Sequence, residues 1–206
     1  YFVSTAIRRA RGQKTAHSSM LINVSQYIKK QDDVYRLVNA QVIEYCDQID
    51  CLDDNPAFEK DLESIFLEKI THSNSIICQM YPEWSDRLDM PLWTNVREEL
   101  RFVAAKVRNE VRVIHSSTDD DFDLNTTRLD YNKYENREKE IDNGLYVIAI
   151  GGNTMARGIT LEGLVVSYFF RTSNTFDTLM QMGRWFGYRD GYIDVCRLYI
   201  EKATAV

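Results

Sequence analysis

The sequence predicts an α/β protein built on a parallel sheet of about five strands flanked by helices. Five short apolar runs, rich in Val, Ile and Leu, alternate with stretches of helical spacing, and no two-residue hairpin signal joins them. Continuous apolar runs are typical of strands buried on both faces, as in parallel sheets. The expected strands lie near residues 20–24, 111–115, 145–150, 164–170 and 195–200.

The first part of the chain, residues 1–46, has the order helix, strand, helix. Phe2–Arg11 has helical spacing, and a second helix is expected from about Asp32 to Cys46, after the first apolar run. Ser25 follows that run directly, so it is expected at the carboxyl end of a strand. Open α/β sheets bind ligands at that edge.

Residues 47–109 are interpreted as a helical insertion, because they contain no strand signal. Asn55-Pro56 is a strong helix start, with a capping residue followed by Pro in the first turn. Apolar residues continue that helix to about Lys69, a short helix is expected over Ser75–Met80, and a last one runs from about Thr94 to Arg108. Residues 110–206 then complete the sheet.

Composition excludes several classes of protein. No apolar run approaches the roughly 20 residues that a membrane span needs, so we expect no membrane partner. The four cysteines form no C-x-x-C pair, which argues against a zinc site or a disulfide framework and favours a reduced, cytosolic protein. The net charge of −6 argues against non-specific coating of nucleic acid. The net charge does not exclude a local basic groove, because one basic cluster occurs near the start of the chain. It comprises Arg8, Arg9, Arg11 and Lys14.

The most informative stretch is residues 145–189. A buried strand stops at Gly151-Gly152, and two glycines there let the backbone approach a ligand closely. A second strand, to residue 170, leads into Arg171 and Thr172. From Phe176 the spacing becomes helical, with one apolar stripe and a second stripe that carries Gln181 and Arg184.

These residues resemble two motifs of superfamily-two helicases. Ala156-Arg157-Gly158-Ile159 is similar to the core of motif five, and Gly183-Arg184 is similar to the core of motif six. The longer wording, GGNTMARGITLEGL followed by LMQMGRWFGYR, is most similar to the Z1 domain, a family labelled as an endonuclease and found joined to helicase modules in prokaryotes. The sequence departs from the helicase motifs in two ways. Thr160 stands where motif five usually has Asp. In motif six, Gln181 lies two residues before Gly183 instead of three, and the second Arg is Arg189 instead of a residue three positions after Arg184.

The resemblance implies a RecA-like lobe of the P-loop NTPase type that completes an ATP site. In such motors ATP and Mg²⁺ bind between two lobes, and one lobe sends an Arg across the cleft to stabilise the γ-phosphate. Arg184 is the first candidate for that Arg, Arg189 the second, and Gln181 a hydrogen-bonding partner. The chain has no P-loop of its own, because GQKT at residues 12–15 lacks the required glycines. A further lobe of a longer protein is therefore the expected partner.

The resemblance also implies a loop that couples the nucleotide to nucleic acid. DNA is the expected nucleic acid, because the family is found joined to helicase modules in prokaryotes. Such contacts go to phosphate oxygens and read no sequence. Each of these assignments has an alternative without a ligand. The glycine-containing loop would then be only a tight turn, and Arg184 would form a surface ion pair with Asp177. The cleft-lining residues would be Gly151, Gly152, Asn153, Arg157 and Gly158, and the nucleic-acid contacts would be Thr154, Arg171, Thr172 and Ser25.

Two other functions stay open at this point. A metal-dependent nuclease needs two or three carboxylates that converge on Mg²⁺, and no such arrangement with a nearby Lys follows a strand. The acidic run Asp119–Asp121 with Asp123 and Asp130 is the best remaining candidate, although a solvated loop explains it better, so we expect no metal site. A non-catalytic assembly module of a prokaryotic defence system is the third possibility.

Overall fold

A five-stranded parallel sheet forms the centre of the described structure, as the sequence predicted. The structure is a computed structural model that describes residues 1–24, 28–114, 129, 131, 144–152, 161–169 and 189–200. Within these residues the strand order is β2-β3-β1-β4-β5, and every neighbouring pair is parallel. The strands are β1 Ser18–Asn23, β2 Val111–Ile114, β3 Tyr146–Gly151, β4 Leu164–Phe169 and β5 Arg197–Ile200.

The central strand is the first in the chain, and the direction of the connections changes beside it. The chain leaves β1 towards the side of β2, but it leaves β3 towards the side of β4, on the other flank of β1. In open α/β sheets such a change of direction opens a crevice at the carboxyl ends of the strands. The carboxyl end of β1 is therefore the place where the topology favours a ligand.

Three helices cover one face of the sheet and form the main core with it. They are α1 (Phe2–Ala10), α2 (Ile28–Asp50) and α5 (Trp93–Val107). The expected apolar stripe of α5 is fully buried, with Val96, Leu100, Val103 and Val107 all at 0% exposure. These side chains share one cluster with Ile22 of β1 and with Ile148 and Ile150 of β3.

The middle of the chain is helical, but its helices differ from the expected ones. α2 begins at Ile28 and continues to Asp50, well beyond the predicted Asp32–Cys46. A 3-10 turn at Leu52–Asp54 leads to Asn55, whose side chain accepts a hydrogen bond from the Phe58 N–H at 3.3 Å and caps the next helix. That helix is continuous: α3 (Pro56–Ser64), a π-helical segment (Ile65–Thr71) and α4 (His72–Met80) replace the two separate helices expected.

The basic cluster near the start is used inside the protein. Arg9 is buried, donates to Glu99 Oε2 at 2.6 Å and to the Tyr146 hydroxyl at 2.8 Å, and stacks over the Phe102 ring at 3.5 Å. Arg8 donates to the carbonyl oxygen of His17 at 2.8 Å. These arginines therefore fix α1 to the amino-terminal edge of the sheet and do not form a basic groove.

The described helices give no membrane-spanning segment. In the parts of the chain that the structure covers, no helix combines sufficient length with sufficient apolar character to cross a bilayer. α2 has 23 residues, but charged side chains occur along its length.

Candidate functional site at the carboxyl edge of the sheet

Three neighbouring strands end together at the carboxyl edge. Asn23, the last residue of β1, lies in register with Gly151 at the end of β3 and with Phe169 at the end of β4. The Val24 N–H donates to the Gly151 carbonyl oxygen at 2.9 Å, which extends the pairing of β1 and β3 by one residue. The glycine turn predicted at Gly151-Gly152 therefore lies beside the end of the central strand.

Asn23 is the polar residue at this edge that sequence reasoning missed. Its side chain is 1% exposed, and neither Oδ1 nor Nδ2 has a hydrogen-bond partner among the described residues. A carboxamide offers two donor hydrogens and two acceptor lone pairs, and leaving a buried polar group unsatisfied costs about 1–3 kcal/mol. The signal in the sequence was a single amide at the end of an otherwise apolar run, SMLINV.

The carboxamide of Asn23 points to the face of the sheet opposite α2. Side chains alternate along a strand, and Ile22 and Val24 belong to the core under the helices, so Asn23 shares the other face with Leu21. Its neighbour on β3 is Gly151, which adds no side chain on that face.

The two motif-bearing segments leave the sheet on either side of Asn23. Gly152 leads directly into Asn153, and Phe169 leads directly into residues 170–188. The end of β1 thus lies between the residues after which segments 153–160 and 170–188 begin.

The amino terminus of α2 lies at the same edge. The helix starts at Ile28, four residues after Val24, and its first turn carries Gln31, which is only 4% exposed. A helix amino terminus has free N–H groups and a partial positive charge, so it favours an anion nearby. The edge therefore combines a helix dipole, a glycine turn and a buried carboxamide.

Arg189, the second candidate for the catalytic Arg, lies at the opposite edge. Its guanidinium group donates to the carbonyl oxygen of Leu164, the first residue of β4, and lies 2.6 Å from Cys196 Sγ. A six-residue strand spans roughly 17 Å at about 3.3 Å per residue, so Arg189 is separated from Gly151-Gly152 by the length of the sheet. The structure does not bring these predicted site residues together.

Most of the other predicted site residues lie outside the described residues. The glycine pair is described, and both glycines are buried at the carboxyl edge. The predicted residues outside the described ranges are Ser25, Asn153, Thr154, Arg157, Gly158, Arg171, Thr172, Gln181 and Arg184, and for the nuclease alternative Asp119, Asp120, Asp121, Asp123 and Asp130.

The described residues contain no metal-binding constellation. Across the described ranges, no group of three or more His, Cys, Asp or Glu side chains is arranged to hold a metal ion. The described residues at the carboxyl edge are an amide, two glycines and apolar residues.

A groove of about 540 Å³ lies on the helical face between α1, α2 and α3, and Tyr199 of β5 is among its lining residues. Some of its polar side chains contact one another: Gln41 and Gln48 both donate to Glu44, at 2.9 and 3.2 Å. Asp61 and Lys69 also line the groove.

Comparison with known proteins identifies one family. The sequence model of the Z1 domain matches residues 1–205. Comparison with curated proteins and with solved structures gave no match.

Proposed function

This chain belongs to the Z1 domain family, and from that membership and the carboxyl edge we propose that it is the second lobe of a nucleic-acid-dependent ATPase. In this proposal the lobe is RecA-like and supplies an arginine finger and a phosphate-contacting loop. The first lobe, which carries a P-loop, binds ATP and Mg²⁺. The substrate that the lobe contacts is the backbone of DNA.

The position of the glycine turn is the observation that carries the proposal. Gly151-Gly152 ends β3 beside the end of the central strand, where the direction of the connections changes. Ligands of open α/β sheets bind at such a point. The segment that resembles motif five begins at this turn, so it starts at the edge where a helicase lobe would need it.

The described residues at the carboxyl edge suit a phosphate group. The start of α2 favours an anion electrostatically, and on the other face of the sheet the buried amide of Asn23 can donate a hydrogen bond. The proposal assigns Mg²⁺ to the other lobe, which carries the P-loop, where the ion would neutralise charge on the β- and γ-phosphates.

Arg184 is the proposed finger, and the contacts of Arg189 favour a different role for the second Arg. An arginine suits this task because its planar guanidinium group pairs with two phosphate oxygens and keeps its charge. The spacing of the sequence predicts a helix with Arg184 and Gln181 on one polar stripe, and Gln181 would orient the same phosphate. Arg189 instead ties the start of β4 to the loop before β5, which supports a structural role.

Replacement of Arg184 tests the proposal in a protein that joins this chain to its nucleotide-binding lobe. We expect Arg184→Ala to lower DNA-stimulated ATP hydrolysis by about 10³–10⁵-fold and to leave ATP binding largely intact, because the other lobe grips the nucleotide. Arg101→Ala is a matched control, since Arg101 lies on α5 and is paired with Asp53 on the surface. The chain by itself should hydrolyse neither ATP nor DNA.

Other outcomes would support the competing functions. Metal-dependent DNA cleavage by the chain alone, abolished by replacing Asp119, Asp120 and Asp121 with Asn, would favour the nuclease suggested by the family's label. Unchanged ATPase activity in Arg184→Ala, with no cleavage, would favour an assembly module. Either result would overturn the proposed role of this lobe.

A further inference from the structure

We propose that the carboxamide of Asn23 contacts a phosphate group at the carboxyl edge of the sheet. This inference rests on the proposed function and adds a residue that neither the resemblance nor the motifs contain. The phosphate belongs either to the backbone of a nucleic acid or to a nucleotide. Both sources present the same acceptor oxygens to the amide N–H groups.

Burial without a partner is the first observation behind this inference. Asn23 is 1% exposed, and both polar atoms of its side chain lack a partner among the described residues. More than nine in ten buried polar groups in proteins are hydrogen-bonded. A buried amide without a partner is a stability cost that a ligand oxygen would offset.

The second observation is the position of Asn23 on the sheet. It ends the central strand at the change of direction, with Gly151 on one side and Phe169 on the other. Gly151, its neighbour on β3, carries no side chain on the face to which the carboxamide points.

Ser167 provides a comparison within the same sheet face. Its hydroxyl is also buried and without a partner among the described residues. It lies in register with Leu21, two residues further from the carboxyl edge than Asn23 on the neighbouring strand. Ser167 therefore matches Asn23 in burial and in lacking a partner, but it does not lie at the carboxyl edge.

The test replaces the amide with an apolar group of similar size. We expect Asn23→Leu, in the full-length protein, to raise the melting temperature of the unliganded form, because the unsatisfied buried amide is removed. We expect the same variant to weaken binding of one phosphate-bearing probe by about 10- to 100-fold, the usual loss for a hydrogen bond to a charged group. A purely structural Asn23 would not show higher stability together with weaker binding.

Two binding measurements distinguish the sources of the phosphate. Fluorescence anisotropy with a labelled single-stranded DNA, without nucleotide, measures the affinity for a nucleic-acid backbone and is called the DNA arm. Calorimetry with a non-hydrolysable ATP analogue and Mg²⁺, without DNA, measures the affinity for a nucleotide. In the DNA arm the slope of log Kd against log salt concentration should not change, because Asn carries no charge and releases no counterion.

Ser167→Ala is the matched control, and Asn23→Ser is the second variant. Ser167→Ala should raise the melting temperature without weakening the binding of either probe. Asn23→Ser retains a donor in a smaller side chain that no longer reaches as far, so it should bind the same probe more weakly than wild type. This comparison with wild type does not depend on whether Leu fits the site.

The outcomes separate this inference from the proposed function. If Asn23→Leu folds and both affinities equal those of wild type, the inference is wrong, while the Arg184→Ala result still decides the ATPase. If wild-type protein binds neither probe, both proposals fail together. If Asn23→Leu and Ser167→Ala weaken binding equally, the loss reflects the sheet as a whole and the role of Asn23 is overturned.

Discussion

Asp194 shows how a single buried carboxylate organises several parts of the chain. Its side chain is fully buried, and its two carboxylate oxygens accept hydrogen bonds from the two terminal nitrogens of the Arg11 guanidinium group, at 2.8 and 2.6 Å. Asn74 of α4 donates to the same carboxylate at 2.9 Å. The residue therefore joins α1, the helical middle of the chain and the turn before β5.

Replacing Asp194 should destabilise the protein strongly. Asp194→Asn keeps the shape but removes the charge, which leaves the buried guanidinium group of Arg11 without its counter-ion. Breaking a buried pair in this way costs roughly 3–5 kcal/mol. Urea unfolding measures the loss, and Arg87→Gln is the control, because the Arg87–Asp190 pair is more than half exposed, at 61% and 60%, and should contribute less than about 1 kcal/mol.

Prediction from sequence was uneven at this scale. The end of β3 at Gly151 was located correctly, because an apolar run that stops at two glycines indicates the end of a buried strand. The buried positions of Asn23 and Asp194 were not anticipated, and the arginines of α1 were taken as a possible surface cluster. Burial of a polar side chain depends on partners distant in sequence, and local spacing carries no information about them.

At the scale of elements, α5 connects the helical middle of the chain to the sheet. One side of this helix packs in the core, and its outer side carries an ion-pair network. Arg97 donates to Glu59 Oε1 at 2.7 Å and to Asp53 Oδ1 at 2.6 Å, while Arg101 also pairs with Asp53. These hydrogen bonds to Arg97 lower the pKa of both carboxyl groups.

The network predicts a pH dependence with a definite sign. Because the pKa values of Asp53 and Glu59 are lower in the folded protein, their contribution to stability is present above the unfolded values, near pH 4. It is lost as the pH falls through the lowered folded values. Arg97→Gln should therefore lower stability at pH 7 by more than at pH 3, as measured by thermal unfolding at both values.

Arg101→Gln is the comparison for this experiment, because Arg101 contacts Asp53 but not Glu59 in the described contacts. Arg101→Gln should also lower stability more at pH 7 than at pH 3, but the difference between the two pH values should be smaller than for Arg97→Gln. An equal loss of stability at pH 7 and pH 3 for Arg97→Gln would contradict the electrostatic account and assign the residue a packing role.

Most elements were predictable from periodicity. All five strands were expected within one or two residues of their observed positions, because a continuous apolar run between helical stretches has one main interpretation. Errors fell on helix boundaries: α2 extends beyond its apolar repeat, and the chain from Pro56 to Met80 stays helical through a π-helical segment. Helix ends depend on neighbouring contacts more than on spacing.

At the scale of the whole molecule, the helical middle and the sheet share one core. Phe66 and Ile70, in the π-helical segment, belong to the same cluster as Ile148 and Ile150 of β3. We therefore expect residues 47–109 and the sheet to unfold together, although the sequence treats that segment as an insertion.

Hydrogen exchange on a core variant tests this cooperativity. Phe66 is 4% exposed, and Phe66→Ala should cost about 3 kcal/mol or more, as for other buried aromatic truncations. If the molecule opens as one unit, the amides of Ile148 and Ile150 should exchange roughly 100-fold faster in the variant. Unchanged exchange in β3 would show that the helical segment opens independently.

By itself, the sequence determined the class of the fold, the five strands, the helical middle and the glycine turn, because each follows from local spacing and backbone preference. Family membership also follows from the sequence, over residues 1–205. Only the tertiary structure decided the strand order, and with it the placement of Asn23 beside Gly151 and of Arg189 at the far edge. Strand order is a choice among non-local pairings of similar apolar runs, and no residue pattern within a single run distinguishes those pairings.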